Sequence, residues 1–146
     1  MQKPGAEHCQ WRWVVARQAV VYGNLTAALI VYLLPVLNGT TTYAAVPKER
    51  PKRFVQLTPS GGSDISVVHD RALMMVDSWG PSILEAQELA QLVRAHLGAI
   101  LNDRVNGVLI YRARPIGGIV YVPDPESDTP RYRQNWEFVT RGEPIL

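Results

Sequence analysis

Residues 72–98 read ALMMVDSWGPSILEAQELAQLVRAHLG, and this stretch decides the fold. Its first part, Ala72 to Trp79, carries apolar residues on both strand faces. Leu73 and Met75 lie on one, Met74 and Val76 on the other, which predicts a central, covered strand. The period then changes. Ser82 and Glu85 have capping-box spacing, in which each side chain can satisfy an orphan amide at a helix start. Ala86, Leu89, Ala90, Val93 and Leu97 follow at three- and four-residue intervals and form one apolar stripe. Glu85, Gln87, Glu88, Gln91 and Arg94 lie mainly on the other side. Gly98 is placed to end the helix in a left-handed conformation. A covered strand leading directly into an amphipathic helix calls for a core between a sheet and helices.

Downstream, Val108 to Ala113 reads as a strand, Gly117-Gly118 interrupts the chain, and Ile119 to Val122 extends again. Pro123 to Pro130 holds three prolines, which fix their own dihedrals and bias the residues before them, so a stiff loop is expected. The closing strand runs from about Tyr132 to Arg141. Tyr132, Trp136 and Phe138 alternate with Arg133, Asn135, Glu137 and Arg141, the pattern of a strand with one buried face. Upstream, Pro59 to Asp64 reads as a flexible loop and Phe54 to Thr58 as a strand. A basic turn, Lys48 to Arg53, precedes that strand, and the β-prone run Thr40 to Val46 ends at Pro47. The order is α-β-β-β-α-β-β. Strands and helices segregated in this way predict an α+β fold, a largely antiparallel sheet with two helices packed on one face.

The first helix is the ambiguous one. Ala19 to Leu37 contains no charged residue and follows Arg12 and Arg17, which fits an export signal or a membrane anchor. Gly23, Asn24, Thr26 and Pro35 break the run. Asn24 is a good N-cap, Asn38-Gly39 a stop and turn signal, and the enclosed helix, Leu25 to Leu37, is too short to span a bilayer. Taken alone, this segment leaves two readings open: a buried helix, or the hydrophobic segment (residues 19–37) of a membrane-anchored or secreted small binding domain.

A chain of 146 residues with 47% hydrophobic and 19% charged residues is long and apolar enough for one packed domain. Residues 1–20, with Trp11 and Trp13, lack periodicity and are expected to form a dispensable extension; residues 21–146 form the domain. The single cysteine, Cys9, rules out an internal disulfide and a thiolate zinc cluster. A net charge of +2, spread along the chain, predicts no stable nucleic-acid binding.

No pattern of catalytic or metal-binding residues emerges. His8, His69 and His96 have no partners at metal-ligand spacing. His96 suits the negative end of a helix dipole. His69-Asp70 lacks a nucleophile-elbow motif and reads as a turn. Ser60-Gly61-Gly62-Ser63 lacks the lysine and helix of a phosphate-binding loop. Asp124 and Glu126 sit in the proline-rich loop and read as a solvated turn. The expectation is a protein that is not an enzyme and holds no cofactor and no metal. Binding is better placed on loops held by a rigid scaffold. The candidate interface residues are therefore Lys48, Arg50, Lys52 and Arg53 in one loop, and Pro123, Asp124, Pro125, Pro130 and Arg131 in the other.

From Val46 to Gly142 the chain also carries an ordered series of local patterns. They are Val46-Pro47 through Pro51, Arg53-Phe54-Val55 leading to Gly61-Gly62, and the strand ending in Trp79. Glu85-Ala86, Leu89-Ala90 and Val93-Arg94-Ala95 follow. Val120 to Pro125, Pro130-Arg131-Tyr132 and Thr140-Arg141-Gly142 complete the series. With the preceding helix and Asn38-Gly39, it resembles the tail terminator (tail completion) family of long, non-contractile-tailed phages, particularly those of actinobacteria. The resemblance implies a soluble structural protein of the virion tail, assembled in the host cytoplasm. It implies a homohexameric ring that caps the tail tube, stops its elongation and offers a face for head joining. The implied partners are further copies of itself, the tail tube protein and the head–tail connector protein. The apolar run Ile30 to Leu34 and the residues before Tyr22 depart from the family pattern.

Overall fold

The computed structural model describes residues 19–145; the expected extension falls almost entirely outside them. The elements in chain order are β1 (Val20–Val21), α1 (Leu25–Val36), β2 (Thr41–Tyr43), β3 (Phe54–Asp64), β4 (His69–Trp79), α2 (Ile83–Gly98), β5 (Leu101–Val105), β6 (Val108–Tyr121), β7 (Arg131–Arg141) and β8 (Glu143–Pro144). Six strands form one sheet in the order β2-β3-β4-β7-β6-β5, and β1 pairs with β8 in a small separate ribbon. Every pairing in the large sheet is antiparallel except the short parallel contact of β2 with β3. The fold is α+β, and both helices contribute to a single core on one sheet face.

Local chemistry sets the helix ends. Asn24 caps α1, its side chain accepting from the Ala27 amide at 3.0 Å. Pro35 sits in the last turn, and Asn38 (φ 52°) and Gly39 (φ 85°) turn the chain out of the helix. Among the described residues no helix is long and apolar enough to cross a membrane. In α2, Ser82 accepts from the Glu85 amide at 3.2 Å. The reciprocal arm of the capping box does not form, because the Glu85 carboxylate instead accepts the Ser82 hydroxyl at 3.1 Å. Gly98 does not adopt the expected left-handed conformation. The chain leaves through Ala99 in the right-handed region (φ −82°), while a Cβ at Gly98 would make ordinary contact with Trp136.

The stripe Ala86, Leu89, Ala90, Val93 and Leu97 is wholly buried, as its spacing demands. It meets Val55, Leu57, Met74, Val76, Ile110, Trp136 and Phe138 from the sheet and Leu29 and Leu33 from α1. Each such side chain taken from water contributes roughly 1.5–3 kcal/mol. One polar chain crosses this core: the Trp136 indole donates to Gln134 Oε1 at 2.8 Å, and Gln134 Nε2 donates to the Ala90 carbonyl at 2.9 Å.

Strand assignments differ from the sequence reading at several points: β2 is only Thr41–Tyr43, and β4 begins at His69 rather than Ala72. Pro59 to Asp64 is the second half of β3, and its register with β4 shifts between Pro59 and Gly61. Gly62 (φ 140°) lies so close to β4 that a Cβ there would meet the Arg71 carbonyl oxygen. The glycines that suggested a loop permit a strand whose backbone crowds its neighbour. Gly117-Gly118 likewise does not end β6, which runs on to Tyr121 through a second irregularity between Ile116 and Val120. Leu101–Val105 is an edge strand that the sequence reading missed. Its signal was present, since Asn106 (φ 46°) and Gly107 (φ 84°) form a two-residue turn that brings Val105 opposite Val108.

Candidate functional site

The two candidate loops meet at one end of the sheet, on the face away from the helices. β3 and β4 pair there as Phe54 opposite Trp79, and β4 and β7 as Trp79 opposite Arg131. Phe54 stacks on Trp79 with ring centroids 5.0 Å apart, and Tyr43 meets Phe54 edge-on at 5.9 Å. The guanidinium groups of Arg50 and Arg131 lie 5.0 and 4.9 Å from the Trp79 ring centre. Such contacts contribute about 0.5–1 kcal/mol each at exposed sites. Trp79 is thereby only 1% exposed although no helix covers it.

Arg50 also reaches across to the proline-rich loop, where it contacts Asp124 Oδ2 at 2.9 Å and the Ser127 hydroxyl at 3.3 Å. Asp124 organises that loop from within. It accepts from the Ser127 hydroxyl at 2.5 Å and from the Glu126 amide at 3.3 Å, and its backbone pairs with Thr129 and Asp128. The Ser127 hydroxyl bond and the Arg50 guanidinium hold the Asp124 carboxyl at a pKa of about 2, below the usual carboxylate range. A solvated-turn reading therefore fails for Asp124, which is 7% exposed and fully engaged. Glu126 remains exposed.

Between the loops and the sheet lies an open cleft of about 450 Å³, bounded by Arg50, Trp79, Asp124, Pro125, Arg131 and Arg133 among others. Arg133 grips Asp77 with two bonds of 2.8 and 3.2 Å. Arg131 donates its Nε–H to the Val122 carbonyl at 2.8 Å, closing the base of the loop. Lys48, Lys52 and Pro125 project from the surface, while Arg53, Pro123 and Pro130 are half-buried. The expected residues thus form one composite surface rather than two independent loops.

A second polar cluster lies further along the same face and escaped the sequence reading. Glu137 was assigned to solvent by alternation. It points to the helix-free face as expected, yet it is 6% exposed because three arginines close over it. Arg114 Nη2 bonds its Oε1 at 3.0 Å, Arg112 Nη2 lies 4.0 Å from the same oxygen, and Arg71 Nε lies 3.1 Å from Oε2 without hydrogen-bond alignment. The only legible signal was alternate placement of arginines on separate strands, and no sequence window contains all three.

Of the three histidines, His8 lies outside the described residues, and His69 and His96 serve the local fold. The Ser66 hydroxyl lies 2.8 Å from His69 Nδ1, but its oxygen also accepts the Val68 and His69 amides at 3.3 and 3.1 Å. These are the bonds of a turn lock rather than of a poised nucleophile. His69 and Asp70 open β4 and lie just beyond the turn they were expected to form. His96 sits in the last turn of α2, where its backbone carbonyl accepts from the Tyr32 hydroxyl at 2.7 Å. Among the described residues no group of three or more His, Cys, Asp or Glu could hold a metal ion.

No protein-family model matches the chain, and no curated protein does. The fold is shared with a solved structure, a chain of the "Virion of native gene transfer agent (GTA) particle". The two chains are 18% identical and superpose with a TM-score of 0.57, over 82% of this chain and 100% of the other.

Proposed function

We propose that this protein is a structural component of a phage-like particle and, within it, the ring that caps the tail tube. The observation that carries this reading is the likeness in fold to a virion chain over that chain's whole length. The sequence patterns from Val46 to Gly142 point the same way. The site suits the task, because its polar groups are spent on holding loops together. Arg50, Asp124 and Ser127 bond to one another and Arg131 bonds to the Val122 carbonyl, a design that fixes shape. Capping requires a defined surface and no bond-breaking chemistry, so the protein is not an enzyme on this reading.

Ring formation has a physical basis in α1. Leu25, Ala28, Leu29 and Leu33 face the core, yet Val31 and Leu34 remain 53% and 51% exposed on the same helix. A neighbouring subunit would bury them. Identical subunits joined head to tail close into a ring when the rotation fits, and a tube of fixed symmetry templates that closure. The composite surface around Trp79 is then free to meet the tube protein or the head connector. The reading places the protein in the virion tail after cytoplasmic assembly.

The test is electron microscopy of particles produced without this gene. Overlong tail tubes without heads are expected. Tails of normal length joined to heads would overturn the proposal.

A further inference from the structure

The charge that is dispersed in the sequence is gathered by the fold. Arg71 on β4 and Arg112 on β6 lie opposite the same residue of β7, Val139, from its two sides, and Arg114 lies opposite Glu137. Sheet geometry spaces their backbones: Arg71 and Arg112 stand roughly 10 Å apart across two strand intervals, and Arg112 and Arg114 roughly 7 Å apart along one strand. Among the described residues, Glu137 is the one acidic group in contact with all three. Three positive charges meet one negative charge, so the cluster keeps an excess of two. The arginine side chains are 42%, 53% and 57% exposed, against 7% for the carboxylate. Each guanidinium has five N–H donors, and the contacts to Glu137 leave most of them directed elsewhere.

We propose that this face binds the phosphate backbone of double-stranded DNA. The inference goes beyond tube capping, which needs no nucleic acid, and it can be tested on the isolated chain. A planar guanidinium matches a phosphate with two parallel bonds. The separation of Arg112 and Arg114 is comparable to that of successive phosphates on one strand. Leu73 and Val139, their neighbours on this face, are aliphatic, and the nearby rings of His69 and Tyr111 pack on each other with centroids 5.3 Å apart. Two to three neutralised phosphates give weak, sequence-independent, salt-sensitive binding. That is contact suited to DNA lying against or moving past the protein, and it differs from the stable binding that the dispersed net charge argues against.

The experiment is fluorescence anisotropy of a short labelled duplex titrated with the full chain across a salt series. Log affinity should fall against log salt with a slope of about −2 to −3. The Arg112→Gln/Arg114→Gln variant should lose about two units of that slope and bind about tenfold or more weakly at low salt. Lys48→Gln/Lys52→Gln, which removes the same charge from an exposed loop, should bind like the wild type. Glu137→Gln, which removes the single negative charge, should bind more tightly and with a steeper slope. This third variant keeps the test decisive should the arginine double variant fail to fold. Absence of wild-type binding at low salt, equal losses in both double variants, or no tightening in Glu137→Gln would each overturn the inference.

Discussion

Arg50 and Asp124, 74 residues apart in the chain, are joined by a 2.9 Å ion pair that ties the basic loop before β3 to the proline-rich loop before β7. Each loop depends on the other for its position. Arg50→Ala should therefore loosen both at once. Hydrogen exchange at the Glu126, Ser127 and Asp128 amides should accelerate, while β4 and β7 amides keep wild-type protection. Unchanged exchange in the 123–130 loop would mean that its prolines and the internal bonds of Asp124 hold it without Arg50.

The low pKa of Asp124 has a pH consequence. Its carboxyl titrates near 2 in the folded protein, against a usual value of 3.8. A depressed carboxylate pKa adds stability above the unfolded value, and that stability is lost as pH falls toward the folded value. The difference in stability between wild type and Asp124→Asn should accordingly be constant above about pH 5 and fall away as pH drops through about 2. Carbon-detected NMR of the Asp124 carboxyl gives the midpoint directly. A midpoint near 3.8 would remove the bonds from Ser127 and Arg50 as its cause.

Val93 is wholly buried and Gln91 is exposed, two positions apart on α2. Val93→Asp places an unpaired charge against Leu89 and Phe138 in the core and should abolish the cooperative thermal transition. Gln91→Asp should change stability by less than about 0.5 kcal/mol. Circular dichroism melts distinguish the two, and equal tolerance would show that the helix has another phase.

Gln134 is the single polar link between β7 and α2 inside the core. Gln134→Leu keeps its approximate volume but leaves the buried Trp136 indole N–H without an acceptor. The expected loss is about 1–3 kcal/mol, read from chemical denaturation. A Gln134→Leu protein as stable as the wild type would mean that the link adds nothing over an apolar contact.

Val31 and Leu34 test the ring. Val31→Glu/Leu34→Glu alters two exposed positions of α1 and should leave the melting temperature of the isolated chain nearly unchanged. Particles carrying it should nonetheless show uncapped, overlong tails. Normal tails would place the subunit contact elsewhere.

The sequence by itself determined the elements whose reasons are local. The α2 stripe, the Asn24 and Ser82 caps and the Asn38-Gly39 turn depend on residues within a few positions of one another, so spacing alone reveals them. The central strands and the α+β class follow from the same short-range periodicity. Where a residue's role depends on a distant partner, only the tertiary structure decided it. Gly61-Gly62 and Gly117-Gly118 read as breaks, yet they lie within strands, because Gly61 and Gly62 pair with β4 and the pairing of Ile116 and Val120 with β7 carries β6 across Gly117-Gly118. Asp124 reads as solvated until Arg50 arrives from the other loop. Glu137 reads as exposed until Arg71, Arg112 and Arg114 converge from two neighbouring strands. Charge acts through space and falls off with distance, so contiguity in the chain says little about which charges meet. The register of β4, β6 and β7 placed these side chains together, and with them both surfaces on which the protein's function is proposed to rest.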